Sequence, residues 1–140
     1  MIEKIRYTKT GKRINIYQFE SKLHQKIVMK KTQFYDHIII KHPEITLDII
    51  NEVLKNPDLV TKQSKSKKEH FYQKEIEKLV YIVVVSSHKN IKRIRFILTA
   101  FSVNNSEFLR NKNIYLRYIN KWINFLKQFL RPIMYVMYNN

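Results

Sequence analysis

The sequence predicts an α+β fold, in which an N-terminal hairpin and helices precede an antiparallel meander and a long C-terminal helix. Three observations predict it. The 140 residues are 44% hydrophobic, which supports the core of one domain. Alternating and helical apolar patterns come in separate blocks along the chain. Short turns join the predicted strands, which favours antiparallel pairing and helices segregated from the sheet.

The first block predicts a β-hairpin over residues 2–19, because apolar residues alternate on both sides of Thr10-Gly11-Lys12. Gly11 is the only glycine, and it stands where a tight turn needs a positive φ. A helix is then predicted over residues 20–31, where Leu23, Ile27 and Val28 recur at helical spacing.

Two more helices are expected before the meander. The first covers residues 33–41 and ends before Pro43, since a residue that precedes proline is pushed out of the α region. The second begins after Thr46, a favourable N-cap, and ends at Asn56-Pro57.

From residue 58 the pattern becomes that of strands, which are predicted at residues 59–61, 69–76, 79–85 and 92–103. The run at 79–85 is almost entirely apolar, as in a central strand covered on both faces. Asn104 and Glu107 can cap a final helix to about residue 130, with Trp122 in its apolar stripe. We expect one domain over residues 1–140, divided into a hairpin and helix at 1–33, a core at 34–103, and a helix and apolar tail at 104–140.

Charge and composition restrict the function. The 27 Lys and Arg residues outnumber 11 Asp and Glu residues, and the net charge of +16 favours RNA, DNA, a ribosome or an acidic protein as partner. The absence of Cys excludes disulfides, zinc ribbons and thiol nucleophiles. The single Gly argues against glycine-rich phosphate loops. Without a long apolar run or a secretory signal, we expect a cytoplasmic protein that does not enter membranes.

The chemistry available to this chain rests on His, Lys, Arg, Tyr and Thr. None of the five histidines forms an HExxH motif, and the acidic residues are scattered; a metal site assembled from Asp36, Glu44 and Asp48 is the alternative. The inventory fits RNA cleavage without a metal or cofactor. One group removes the 2′-hydroxyl proton, a second protonates the departing 5′-oxygen, and cations stabilise the phosphoryl charge.

Several short motifs resemble those of one nuclease superfamily. YDHIIIKHPEI at residues 35–45 is similar to the HI..(K/R)HPE segment of small phage and prophage nucleases of the barnase–EndoU–colicin–RelE superfamily. Further similar motifs are GKRI at 11–14, VLKNPDLV at 53–60, FYQK at 71–74 and TAF at 99–101. The resemblance covers residues 34–102, half of the chain.

The resemblance implies N-terminal helices packed on a four-stranded antiparallel sheet and the activity of an endoribonuclease or toxin-like interferase. It assigns acid–base roles to His37 and His42, phosphate binding to Lys74, and substrate positioning to the Thr99 hydroxyl. The basic stretch at 62–68 and its neighbours add candidate RNA-binding residues, namely Lys62, Lys65, Lys67, Lys68, His70, Tyr72 and Arg95.

Several alternatives stay open. His42 can cap a helix, Tyr72 can pack in the core, and residues 62–68 can be a solvated loop. His24 and His88 are interpreted as surface residues. The predicted partners are RNA (tRNA, mRNA or rRNA) and an acidic antitoxin or immunity protein, and the chain is expected to be a monomer or homodimer. A non-catalytic RNA- or ribosome-binding protein and a DNA-binding regulator are the competing functions.

Overall fold

The computed structural model describes residues 1–24, 26–63, 66, 68–87 and 94–104, together with the backbone of residues 115–119. It confirms the α+β class. The strands are β1 (Ile2–Tyr7), β2 (Arg13–Phe19), β3 (Ile27–Lys30), β4 (Leu59–Lys62), β5 (His70–Ile76), β6 (Leu79–Ser87), β7 (Arg95–Asn104) and β8 (Tyr115–Ile119). The first helical segment comprises α1 (Lys31–Gln33), a π-helical turn (Phe34–Ile38) and α2 (Ile39–Lys41), and the second is α3 (Leu47–Lys55).

These strands form one mixed sheet in the order β1-β2-β3-β7-β6-β5-β4, which β8 extends beyond β4. Each neighbouring pair is antiparallel except β3 and β7, which run parallel. The sheet is therefore larger than the four-stranded antiparallel sheet that the resemblance implies, because the hairpin and β3 join the meander along the edge of β7.

The helices pack on one face of this sheet, which we call the helical face. Ile50, Val53 and Leu54 of α3 are completely buried there against Tyr72 of β5 and Val83 of β6. The opposite face is also apolar, and it buries Phe71, Val80, Ile82 and Val84. The prediction that β6 is covered on both faces is thus confirmed.

The helix predicted over residues 20–31 is wrong, since Ile27–Lys30 forms strand β3 between β2 and β7. Ile27, Val28 and Met29 are each at most 1% exposed, so consecutive residues are buried on both faces of the sheet. A helix can bury only one stripe, whereas a central strand buries both faces, and the β-branched Ile and Val favour the strand.

The long C-terminal helix is wrong at residues 115–119, which form strand β8 and pair antiparallel with β4. Tyr115, Tyr118 and Ile119 have a high preference for strands, and the open edge of β4 supplies the hydrogen bonds that such a strand needs. Trp122, the rest of the predicted stripe and the apolar tail lie outside the described residues.

Two local predictions are confirmed. Gly11 has a φ of +83° in the turn between β1 and β2. The Ile49 backbone N–H donates to the Thr46 hydroxyl over 3.1 Å, so Thr46 caps α3 as expected.

Strand β7 departs from the simple alternation that its sequence predicts. Val84 is opposite Thr99 while Val85 is opposite Ile97, so Leu98 is the additional residue of a β-bulge. Because of the bulge, Ile97 and Ala100 both enter the core on the helical face. The amide of Gln33 donates to the Leu98 carbonyl over 2.6 Å and ties α1 to this point of the strand.

Candidate functional site

A polar cluster interrupts the apolar packing where the loop between β2 and β3 crosses β5. Ser21 and His24 belong to that loop, and His70 and Tyr72 lie two residues apart on β5, on the helical face. We call these four residues the histidine cluster. The loop is held at both ends, because the Lys22 N–H donates to the Leu54 carbonyl over 3.0 Å and the Arg95 N–H to the Lys26 carbonyl over 3.1 Å.

The Tyr72 hydroxyl is the centre of the cluster. It lies 2.6 Å from Nδ1 of His24 and 3.0 Å from Oγ of Ser21. Oγ of Ser21 in turn donates to the His24 carbonyl over 2.6 Å and accepts from the His24 N–H over 2.9 Å. The rings of His24 and His70 meet edge to face, with their centroids 4.6 Å apart.

Counting protons assigns the tautomer of His24. Ser21 has one hydroxyl proton, and the His24 carbonyl takes it because a carbonyl can only accept. Tyr72 must therefore donate to Ser21, which leaves its oxygen to accept from Nδ1–H of His24. All four contacts are satisfied at once only in this arrangement, so the lone pair of the neutral His24 ring is on Nε2.

The same reasoning applies to His70. Its Nδ1 lies 3.1 Å from the Lys68 carbonyl, which can only accept, so Nδ1 carries the proton and Nε2 carries the lone pair of the neutral ring. Both imidazoles are thus oriented through Nδ1, and the lone pair of each neutral ring is on Nε2.

Burial and charge define the environment of the cluster. Tyr72 is completely buried and His70 is 5% exposed, whereas Ser21 and His24 are half-buried. Burial raises the pKa of the Tyr72 hydroxyl, and the Ser21 hydrogen bond and the positive charge of Arg95 oppose that rise. Arg95 is half-buried, and its influence on the Tyr72 hydroxyl shows that a cation lies near the cluster.

Of the predicted RNA-binding residues, His70, Tyr72 and Arg95 come together in or beside this cluster. Lys68 contributes the carbonyl that orients His70 and has an exposed side chain, and Lys62 is half-buried at the end of β4. Lys65 and Lys67 lie outside the described residues. Tyr72 cannot stack an RNA base in this arrangement, because its ring is completely buried; it contributes its hydroxyl instead.

The two histidines that the resemblance selects are on the first helical segment. His37 is exposed on the π-helical turn. His42 ends α2 and is half-buried, with Nδ1 3.9 Å from Oε1 of Glu44 and its ring 5.9 Å from that of Phe101. The Ser102 hydroxyl donates to the same Glu44 oxygen over 2.9 Å. We call His37, His42, Glu44 and Ser102 the helical histidine region.

Lys74 lies on the helical face with Tyr72, but its ammonium group is engaged. It donates to the Asn56 carbonyl over 2.9 Å and lies 3.8 Å from carboxylate oxygens of Glu52 and Asp58. These neighbours connect β5 to the end of α3 and neutralise the charge predicted to bind phosphate. These contacts indicate a structural role for Lys74 between β5 and the end of α3.

Thr99 is separated from the other predicted catalytic residues by the sheet. It is half-buried and opposite Val84, whose side chain packs on the face away from the helices. His70, Tyr72 and Lys74 all lie on the helical face. Regular pairing with β6 sets this orientation, since Ala100 is opposite Val83 on the helical face and Thr99 alternates with it.

The acidic residues do not form a metal site in the described part of the chain. No three His, Cys, Asp or Glu side chains come together there to hold an ion. Asp36 and Asp48 are exposed on the π-helical turn and in the first turn of α3. Glu44 is the acceptor of the Ser102 hydroxyl.

Sequence reasoning missed His24 and Ser21. The spacing Ser-x-x-His is a local signal, because a Ser hydroxyl often accepts the backbone N–H of a residue two or three positions later. The partnership with His70 has no such signal, since 45 residues, including β3, both helical segments and β4, lie between the two rings.

Comparisons with protein-family models, with curated protein sequences and with solved structures return no match for this chain. Among the described residues, no helix is both long enough and apolar enough to cross a membrane.

Proposed function

We propose that the protein is a metal-independent endoribonuclease in which His24 and His70 exchange the protons. The observation that carries the proposal is the pair of imidazoles in contact, each oriented through Nδ1 by an acceptor of the protein. Acid–base cleavage of RNA needs two such groups, one neutral and one protonated. The motifs that resemble phage-type nucleases and the net charge of +16 also support an RNA substrate.

The reaction follows from the chemistry of RNA. Nε2 of the neutral imidazole takes the 2′-hydroxyl proton, and the 2′-oxygen forms a bond to the adjacent phosphorus. The bond from phosphorus to the 5′-oxygen breaks, and the protonated imidazole gives its proton to that oxygen. The products carry a 2′,3′-cyclic phosphate and a 5′-hydroxyl, and Arg95 is the neighbouring cation for the phosphoryl oxygens.

Tyr72 and Ser21 act on His24 rather than on RNA. Their hydrogen bonds fix its tautomer and ring orientation, as the orienting partner does in other acid–base pairs. They are positioning residues in this proposal. DNA lacks the attacking 2′-hydroxyl, so the same site cannot cleave it by this route.

The experiment incubates the purified protein with total RNA and with DNA in excess EDTA and maps the ends of the products. The control is a double variant, His24→Asn with His70→Asn, because an Asn amide can donate where Nδ1–H donated. We expect cyclic-phosphate ends from RNA with the parent protein alone. Equal cleavage by the double variant, or cleavage that EDTA abolishes, would contradict the proposal.

A second candidate function is RNA binding without cleavage, and the burial of the cluster favours it. Tyr72 is completely buried and His70 is 5% exposed, so these side chains also suit a polar network within the core. RNA that is bound but left intact by a folded parent protein would establish this candidate.

A further inference from the structure

We propose that the open face of the β1–β2 hairpin binds single-stranded RNA, at a surface separate from the histidine cluster. We call Ile5, Tyr7, Arg13 and Tyr35 the hairpin platform. The inference deepens the proposed function and rests on it for the identity of the RNA as substrate, but the binding itself can be measured without cleavage.

The register of the hairpin places a row of side chains on the helical face. Tyr7 is opposite Arg13, Ile5 is opposite Asn15, and Glu3 is opposite Tyr17. Tyr17 is buried in the main core, and its hydroxyl is 3.3 Å from that of Tyr35 on the π-helical turn. The row therefore begins beside Tyr35 of the π-helical turn and continues outward along β1 from Glu3 to Tyr7 for about 13 Å, which is four residues at about 3.3 Å each.

The aromatic and apolar members of this row are open to solvent. Tyr7 is 69% exposed, and Ile5 and Tyr35 are each 48% exposed. An edge strand is usually protected by charged side chains or by a covering element, yet this face of β1 carries Ile5 and Tyr7. Exposed rings on a strand are the groups on which bases of single-stranded RNA stack, with little dependence on sequence.

The charge of the hairpin selects a polyanion. Residues 1–19 contain five cations, Lys4, Arg6, Lys9, Lys12 and Arg13, against one acid, Glu3, which gives +4. Arg13 is exposed directly across from Tyr7, so a ring for a base and a cation for a phosphate are neighbours. Glu3 forms a 3.0 Å ion pair with Lys31 at the inner end of the row and opposes an incoming phosphate there.

The test measures the affinity of a 2′-O-methyl RNA oligonucleotide of about 12 nucleotides, which the 2′-hydroxyl route cannot cleave. Fluorescence anisotropy at several salt concentrations gives both the dissociation constant and its salt dependence. The variants are Tyr7→Ala, Tyr7→Phe, Tyr35→Ala and Arg13→Ala. Lys55→Ala on α3 is the charge-matched control, and Ile40→Ala on α2 is the control for an exposed apolar side chain.

We expect Tyr7→Ala and Tyr35→Ala each to weaken binding about fivefold or more without changing the salt dependence, because they remove stacking. Tyr7→Phe keeps the ring and should bind as the parent does. Arg13→Ala should weaken binding and reduce the slope of log affinity against log salt by about 0.7, the value for one lost phosphate contact on a single strand. Glu3→Gln should tighten binding.

The proposal is overturned if the platform variants bind no differently from Lys55→Ala and Ile40→Ala. It is also overturned if Tyr7→Ala leaves RNA binding unchanged but dissociates a dimer in sedimentation, because the row is then an interface between copies of this chain. In a background with His24→Asn and His70→Asn, the platform variants should weaken binding by the same factors, because stacking on Tyr7 and Tyr35 does not involve the two imidazoles. Failure of cleavage with this binding pattern intact refutes the proposed enzyme alone, and the converse result refutes the platform alone.

Discussion

The histidine cluster and the helical histidine region each contain two histidines, but the contacts of the histidine rings differ between them. In the cluster, the rings of His24 and His70 are 4.6 Å apart, and each Nδ1 faces an acceptor of the protein. In the helical region, His37 is exposed, and Nδ1 of His42 is 3.9 Å from the Glu44 carboxylate, which is longer than a hydrogen bond.

The two regions differ in which group contacts the hydroxyl. Glu44 accepts the Ser102 hydroxyl directly, so the carboxylate lies between Ser102 and His42. A histidine that activates a hydroxyl must lie between the hydroxyl and the carboxylate. In the cluster, by contrast, Tyr72 links Ser21 to His24, and the lone pair of the neutral His24 ring is on Nε2. In the proposed mechanism, the hydrogen bonds that orient the imidazoles, rather than the presence of imidazoles, distinguish the histidine cluster from the helical histidine region.

The largest expected effect separates the two regions directly. His24→Asn and His70→Asn should each lower the cleavage rate by about 10² to 10⁴, the usual contribution of a general acid or base. His37→Asn and His42→Asn should stay within about twofold of the parent, because neither ring is part of the proposed proton exchange. Single-turnover cleavage of a short RNA measures all four rates.

The opposite ranking of these rates would contradict the proposed difference between the two regions. Loss of activity in His37→Asn or His42→Asn, with His24→Asn active, would return the acid–base role to the residues that the resemblance selects. Circular dichroism melts of the four variants show whether any loss of rate comes from unfolding.

The next effect compares one hydroxyl from each region. Tyr72→Phe removes a buried oxygen that serves both Ser21 and His24, and the unsatisfied partners should cost about 1–3 kcal/mol of the free energy of unfolding. Ser102→Ala removes a hydrogen bond to the exposed Glu44 carboxylate and should cost about 0.5–1.5 kcal/mol at most. Urea denaturation measures both values.

The cleavage rates of the same two variants should also differ. Tyr72→Phe should also lower the rate of cleavage while leaving the affinity for uncleavable RNA unchanged, since Tyr72 orients His24 and is closed to RNA. Ser102→Ala should leave the rate unchanged. An unaltered rate in Tyr72→Phe would show that the orientation of His24 does not depend on this hydroxyl.

Local patterns predicted the fold where a single element decides the outcome. Gly11 in the turn and Thr46 at the start of α3 act within a few residues, and both are confirmed. Strand β3 was missed because Ile27 and Val28 also fit a helical stripe, and only the neighbouring strands β2 and β7 decide between the two. The same competition explains β8, where pairing with β4 fixes the strand.

The candidate site was predicted in part for the same reason. His70 and Tyr72 alternate on one strand, so their common face follows from the sequence. His24 reaches them only because hydrogen bonds at Lys22 and Lys26 draw its loop across the sheet. Contacts that depend on two distant backbone anchors leave no periodic pattern in the sequence.

The smallest expected effect is the pH dependence of stability that Glu44 gives to the helical histidine region. Burial alone would raise the pKa of Glu44, but the hydrogen bonds from its own N–H and from Ser102, together with the charge of His42, outweigh burial and lower it. The folded protein therefore binds this proton less readily than the unfolded chain does. The resulting stability is present above the unfolded pKa and is lost as the pH falls through the folded pKa.

Asp58 provides the opposite sign as a control. Burial, only partly offset by the Glu75 N–H and by Lys74, raises its pKa, so acidification through the folded pKa stabilises the protein at this group. Urea denaturation from about pH 6 to about pH 3 should show the advantage of the parent over Glu44→Gln shrinking as the pH falls. Relative to Asp58→Asn, the parent should gain stability over the same range. Parallel curves for the parent and Glu44→Gln would mean that Ser102 does not stabilise the charged carboxylate. The arrangement with Glu44 between Ser102 and His42 would then no longer distinguish this region from the histidine cluster.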